Sequence, residues 1–591
     1  MKYILLSIFV LCAVGCRETT TTLIEDRSGL NLDFEQSGAN NRPTKWYFSG
    51  DSYSTNLDSQ IAVSGRKSLS IGFKNKIGDG YYVWCAKLPV EAVRGKKVTY
   101  LAHIRTESVT DGYVRLWFRV DGPNDSVLAN DTMGVKGVSG TTEWKQYKIE
   151  LPIDSTATHV EFGVYHGGKG IAWFDKVEIL VDGKPYEKEI FTPTEKQIEW
   201  LKQQSHPFKT PQAGTGFEDL SWIKEAFGNS EIIGLGEATH GTKEFFQMKH
   251  RLTEYFANNN GNTVFAIEAN MPESARINDY VQGGPGNVHE LVDGLYFWTW
   301  NTKEVLALIE WMRNFNMSGK GHIEFSGFDM QADSIAAENV TSFLRKNNPQ
   351  YAKVVSEKYG TIRRRIATAE MQQSQGDPSF TASINDAVDI LDHMRNANYH
   401  TKASQKEIDW AVQNANIVLQ AAQNGLTGLY YSPSYRDSCM AVNIKWIKDH
   451  TASGTKLILW AHNGHIAKRD SWMMGNYLNK LYGKQYCAVG FKFHDGSYTA
   501  WSNGSVNPNN YAVPSYPGTL DWILHSLNMP RFILNLQVAS TTDPQSNWLY
   551  QPLETKDISA MATDEYIIGR VANEFDAIVF FDHTTPSEVI P

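Results

Sequence analysis

Six ionisable side chains recur at one kind of place in this 591-residue chain, each just after a short apolar or β-branched run. Residues 231–235 (EIIGL) lead into Gly236, Glu237, Ala238, Thr239 and His240. Residues 263–267 (TVFAI) lead into Glu268, and residues 322–328 (HIEFSGF) lead into Asp329. Residues 457–460 (LILW) lead into Ala461, His462, Asn463, Gly464 and His465. In a mostly parallel sheet the carboxyl ends of the strands share one edge, and ligands bind in the crevice there. Glu237, His240, Glu268, Asp329, His462 and His465 are therefore expected to converge, and their mutual approach should shift proton affinities in the way catalysis needs. One acid after a strand is often a helix cap. Four such placements at four strand ends point to a site.

Two chemistries suit the set. A histidine can take a proton from water while a carboxylate fixes its tautomer and cationic groups hold the oxyanion. Alternatively, two histidines and two carboxylates can ligate a metal that activates the water. The His462-x-x-His465 spacing allows either. Other familiar solutions are missing from the sequence: there is no HExxH, no G-x-S-x-G elbow, no P-loop, and no GxGxxG at a strand–helix junction. A net charge of −9, from 56 Lys+Arg against 65 Asp+Glu, and the lack of a basic stripe argue against nucleic acid as a partner.

The elements that must position these residues are legible as two regimes. From about residue 200, near-continuous strands at 231–235, 263–267, 322–328, 457–460, 486–493 and 577–581 alternate with helical stretches at 243–258, 274–280 and 303–315. This predicts an α/β domain over 200–591 with a mostly parallel sheet covered on both faces. About 345–450 holds no good strand and is expected to be a helical subdomain inserted into it. Residues 30–185 instead alternate apolar and polar, in runs at 97–103, 112–120, 144–151, 159–165 and 171–180. That pattern predicts an all-β sandwich of jelly-roll type. Residues 186–199 read as a linker. Several domains suit the length, at roughly 100–200 residues per domain.

Read in order, a longer set of motifs resembles the erythromycin esterase family. It comprises GLGEATHGT at 234–242, EFF at 244–246, FAIEA at 265–269, WTWNT at 298–302, GFDMQ at 327–331, Arg436-Asp437, and WAHNGH at 460–465. Order and spacing agree over about 200–585. The resemblance implies cofactor-free, metal-independent hydrolysis of a small-molecule carboxylic ester or macrolide lactone. It implies His240 as the base that activates water, with Glu237 and Glu268 orienting base and substrate. His462, with His465, would polarise the carbonyl or hold the tetrahedral intermediate. Where the family often carries an arginine on the next helix, Lys249 stands here, and lysine places a charge without arginine's bidentate fork. Arg251 lies two residues on, about 200° round a helix. Asp329 is expected to orient rather than react, Arg436 and Asp437 to pair with each other and dock the helical subdomain, and Trp298 and Trp300 either to line the pocket or to pack the core. The alternatives are a metal-dependent hydrolase using the same cluster and a non-catalytic glycan-binding surface protein.

The first residues read as an address. Lys2 precedes about a dozen apolar residues, too few to span a ~30 Å hydrocarbon core. Residues 13–16 (Ala-Val-Gly-Cys) resemble the lipobox of bacterial lipoproteins, with Cys16 as the lipidated residue, 1–15 as signal and 16–29 as tether. The expected location is the bacterial cell envelope, held to the membrane by the lipid. Segments at 30–35, 65–71 and 173–177 resemble carbohydrate-binding jelly rolls, so a glycan is a candidate partner there. Trp84, Trp117, Tyr81 and Tyr82 serve either as sugar platform or as core. Aromatics at 12% fit sugar stacking and a β-rich domain equally well. Cys439 and Cys487 could form one bridge.

Overall fold

The computed structural model describes residues 28–590 apart from 38–40, 50–51, 75–80, 124–125, 135–136, 189, 373–377, 401, 427–432, 470–471, 503 and 563–565. The signal segment, Cys16 and most of the tether lie outside the described residues, as do the side chains of Tyr81 and Tyr82. The chain divides into two compact units, Met1–Glu189 and Ile190–Pro591.

The first unit is all-β and antiparallel. Its strands are joined by continuous ladders into one nine-stranded sheet, where the sequence suggested two packed sheets. The long strands Lys97–Asp121 and His159–Val181 pair from Val98↔Val181 to Asp121↔His159. What read as four short runs is therefore two strands. Register shifts at Glu107/Thr110 and Thr110/Tyr113 mark where the ladder bends without ending. Glycine makes this possible: Gly168 and Gly170 sit at φ +110° and +94°, a conformation that side chains resist, and a Cβ on Gly112 would meet Gly167 O at 2.1 Å. The sheet closes over Tyr100, Ile104, Leu116, Phe118, Phe162 and Phe174. Trp84 is buried in that core, its Nε1 donating to Thr55 Oγ1, so it offers no open sugar platform.

In the second unit six strands run parallel in the order Ala577–Thr584, Tyr486–Ser502, Ile232–Leu235, Lys456–Trp460, Asn262–Asn270, His322–Asp329. Two antiparallel strands, Arg531–Asn535 and Ser205–Pro207, extend the Ala577 side. Alternate residues feed two cores, one on each face. Val264, Ala266, Leu457 and Leu459 face one, and Phe265, Ile267, Ile458 and Trp460 face the other. Both faces are dry, which is why these strands are apolar throughout rather than alternating. The helices Lys243–Asn260, Met271–Val281 and Lys303–Met317 cover the second core, and each runs past its sequence-expected end.

Five helices, Ser334–Asn347, Pro349–Gln372, Pro378–Asn396, Gln405–Leu426 and Pro433–Asp449, lie between the strands His322–Asp329 and Lys456–Trp460. They share the sheet's first core through Val340, Val355, Met394, Val418 and Ile444 and do not form a core of their own. Cys439 and Cys487 are buried free thiols, so the possible bridge does not form.

Candidate functional site

The strand order brings together four neighbouring carboxyl ends: Glu237 and His462 lie just past their strands, Glu268 lies among the last residues of Asn262–Asn270, and Asp329 closes His322–Asp329. Close packing holds the turn that carries the first of them. A Cβ on Gly236 would meet Asn463 Oδ1 at 2.2 Å, and one on Gly241 would meet Thr499 O at 1.9 Å. Only glycine lets the 236–241 segment lie this close to its neighbours.

Glu237 is fully buried and receives three donors. His240 Nδ1 lies 2.6 Å from Oε1, while Lys249 Nζ and Trp460 Nε1 donate to Oε2 at 2.5 and 2.7 Å. Burial alone would push this carboxyl up, but Lys249 and His240 outweigh it and hold it below the usual carboxylate range. The ionised carboxylate fixes the proton of His240 on Nδ1, which leaves Nε2 with a free lone pair. The His240 side chain keeps 12% of its surface open, so a water can reach that nitrogen.

Lys249 lies inside the cluster: it has no exposed surface and sits over the Trp460 ring at 4.4 Å. Burial lowers its pKa to about 8 against the pull of Glu237, so it remains cationic at neutral pH. Arg251, the other candidate cation on this helix, is not brought to the site: its guanidinium is held by Asp219, Thr210 O and Gly216 O.

Glu268 anchors the other half. It accepts from Arg436 Nη2 at 2.6 Å, from the His462 backbone N–H at 3.0 Å, and faces His465 Nε2 at 3.2 Å. Burial raises it, and His465 with Arg436 more than reverses that, so it stays ionised well below the usual range. His465 is pinched between two carboxylates, since its Nδ1 also meets Asp437 at 3.0 Å. Burial opposes the charge, but Glu268 and Asp437 raise the imidazole to about 10. His465 is thus cationic at neutral pH, with Nδ1 committed to Asp437 and Nε2 between Glu268 and Arg436 Nη1 at 3.1 Å.

Asp329 grips Arg436 through Nε and Nη2 and accepts from Gln331 and the Met330 N–H. It holds the Arg436 guanidinium in place. Arg436 and Asp437, however, do not pair with each other. Arg436 ties Glu268 to Asp329, and Asp437 holds His465 and caps Met474 N at 2.7 Å. Their helix is joined to the strand ends through these residues.

His462 differs from His465. The Gly464 N–H donates to its Nδ1 at 3.2 Å, so its proton sits on Nε2. Burial lowers its pKa, so it is neutral at pH 7. Its ring centroid is 5.1 Å from that of His240. Trp300, 1% exposed, donates from Nε1 to Glu268 O and sets its edge toward His240, so it packs and borders the site at once. A metal would need the carboxylates that Lys249, Arg436 and His465 already neutralise. Among the described residues no group of three or more His, Cys, Asp or Glu is arranged to hold one.

Asp437, Trp460 and Asp557 also border this cluster, and chemistry assigned from strand ends alone passes over them. Trp460 closes its own strand and was visible only as an apolar residue. Asp557 lies far away in sequence, on the loop after Leu553–Lys556, and no local pattern marks it.

The erythromycin esterase family model matches residues 257–584, more than half of the chain. The chain belongs to the erythromycin esterase family. It is 21% identical over 423 residues to the putative hydrolase YbfO of Bacillus subtilis, covering 66% of this chain and 92% of that protein. It is 23% identical over 333 residues to the erythromycin esterase type II of Escherichia coli, covering 51% and 78%. A solved Bacillus cereus protein superposes with a TM-score of 0.60 at 26% identity, covering 68% of this chain and all of that one. The matched segment of the family model carries Glu268, Asp329, Arg436, His462 and His465, while Glu237 and His240 lie just before it.

Proposed function

We propose that this protein hydrolyses a carboxylic ester or lactone with water activated by His240. The observation that carries the reading is the 2.6 Å contact between His240 Nδ1 and a carboxylate that Lys249 keeps ionised. It leaves Nε2 as a base facing the open side of the cluster. As the water oxygen bonds to the carbonyl carbon, its proton passes to Nε2, and Glu237 offsets the charge of the imidazolium. The His462 Nε2–H, which faces Ile558 O at 3.4 Å in the free site, is the donor assigned to the oxyanion in this reading. Collapse breaks the bond to the leaving oxygen, which takes the proton back from His240. Binding between His465 and Arg436 keeps Glu268 anionic, so that its Oε2 anchors the backbone of His462.

Cys16 is proposed as a lipid anchor that places the enzyme in the cell envelope, on the support of the lipobox-like sequence. The β unit is proposed to bring a glycan-bearing substrate near. The protein lacking residues 1–16 should cleave members of a panel of macrolides, acylated sugars and simple aryl esters, and should do so unchanged in chelator. Activity that vanishes with chelator and returns with zinc or manganese would favour metal-assisted hydrolysis. A panel left wholly uncleaved would favour a binding protein.

A further inference from the structure

Asp557 stands beside the site with a carboxylate oxygen that takes no hydrogen bond. Its loop is pinned to the first motif by the Ile558 N–H, which donates to Ala238 O at 2.6 Å. Asp557 Oδ1 lies 3.7 Å from His462 Nε2 and 3.9 Å from Lys492 Nζ. That lysine gives its hydrogen bond to Lys556 O at 2.9 Å. Asp557 Oδ1 is buried without a hydrogen-bond partner. A buried carboxylate oxygen without a hydrogen bond is costly to folding, and only the loose approach of Lys492 and His462 offsets it.

We propose that Asp557 is a positioning residue for His462: its carboxylate reinforces the Gly464 N–H and Ile558 O in keeping the ring proton on Nε2, so that the histidine can turn that proton to the substrate. The inference rests on the hydrolytic reading above. The groups facing His462 are Asp557, His240, His465 and Glu268, and after burial Asp557 exerts the largest influence on it, favouring a protonated ring. Glu268 meets only the His462 backbone N–H, and His465 is cationic, so neither sets the ring tautomer. The Gly464 N–H at Nδ1 holds one nitrogen as acceptor, while Ile558 O at 3.4 Å and Asp557 Oδ1 at 3.7 Å face the other. An Asn amide in the same place could donate to Nε2 and turn His462 from donor to acceptor.

The test is Asp557→Asn in the full chain, with three readouts: imidazole 15N chemical shifts assigned through His462→Gln, the melting temperature, and turnover of p-nitrophenyl acetate. Loss of Nε2 protonation at His462 is expected, with a kcat about tenfold lower, KM within about threefold, and an unchanged or higher melting temperature, since a buried unpaired charge has been removed. Asp557→Glu should recover part of kcat. A merely structural aspartate would instead lower the melting temperature and leave the tautomer alone. An unmoved tautomer overturns the proposal whatever the kinetics, as does a moved tautomer with wild-type kcat. Should the Asn variant not fold, Asp557→Ser is read by the same criteria. If wild-type protein cleaves no ester, the hydrolytic reading fails, while the tautomer still decides whether Asp557 positions His462.

Discussion

Glu237 shows how much of the site's chemistry depends on one buried pair. A carboxylate without exposed surface stays ionised only because Lys249, His240 and Trp460 donate to it together. Lys249 has its pKa lowered to about 8, so it is charged below that pH and neutral above it. When it loses its proton, Glu237 loses its counter-ion, and the hold on His240 slackens. The rate profile should therefore fall on the alkaline side as pH rises through about 8. In Lys249→Arg, whose side chain remains charged throughout, that limb should move upward. A profile of kcat/KM from pH 6 to 10 for both proteins checks this, and an identical limb in the variant would remove Lys249 from the account. His465 contributes differently. Its pKa is raised to about 10, so its share of stability is complete below its ordinary 6.5 and is lost only as pH rises through about 10.

At the scale of elements, the strand ends were legible because the central strands are largely apolar and ionisable residues gather at their carboxyl ends. Two dry faces favour the first, and an open edge permits the second. The six acids and histidines at four strand ends thus came from pattern alone. Their partners did not. Arg436 and Asp437 looked like neighbours in sequence that should pair, but helical geometry points them at different acceptors. Arg251, two positions from Lys249 and so about 200° round the helix, lies off that face as its spacing indicated, and what the spacing did not name is its partner, Asp219. The runs at 97–120 and 159–180 read as separate strands because glycines interrupt the alternation, whereas those glycines bend a continuous ladder. The tight turn at 236–241 makes a prediction of its own. Gly241→Ala forces a Cβ against the Thr499 carbonyl, to which it would lie 1.9 Å away. Overpacking of this kind costs about 1–3 kcal/mol. Chemical denaturation should show that loss together with reduced turnover, because His240 precedes the displaced residue. Wild-type stability in Gly241→Ala would mean that the turn is looser than its packing indicates.

For the molecule as a whole, every residue assigned to the site falls in the Ile190–Pro591 unit, which has its own two cores. That unit made alone should fold cooperatively and keep ester turnover within about threefold of the intact protein. A collapse of turnover with the fold intact would assign the β unit a part in the chemistry. The high aromatic content, ambiguous in the sequence, is partly explained here. Phe246, Trp300 and Trp460 pack edge to face beneath the Glu237–Lys249 pair and keep water from it. The acidic balance says little about the substrate, because the charges that matter are compensated in pairs inside the site.

The central claim is that His240 is the base. It is tested most directly by comparing wild-type protein and His240→Ala on the best substrate of the ester panel, with folding verified by melting temperature. A loss of about 10²–10⁴-fold in kcat, with the fold retained, is the result expected of a missing general base. A folded variant that turns over within a few-fold of wild type would contradict the account.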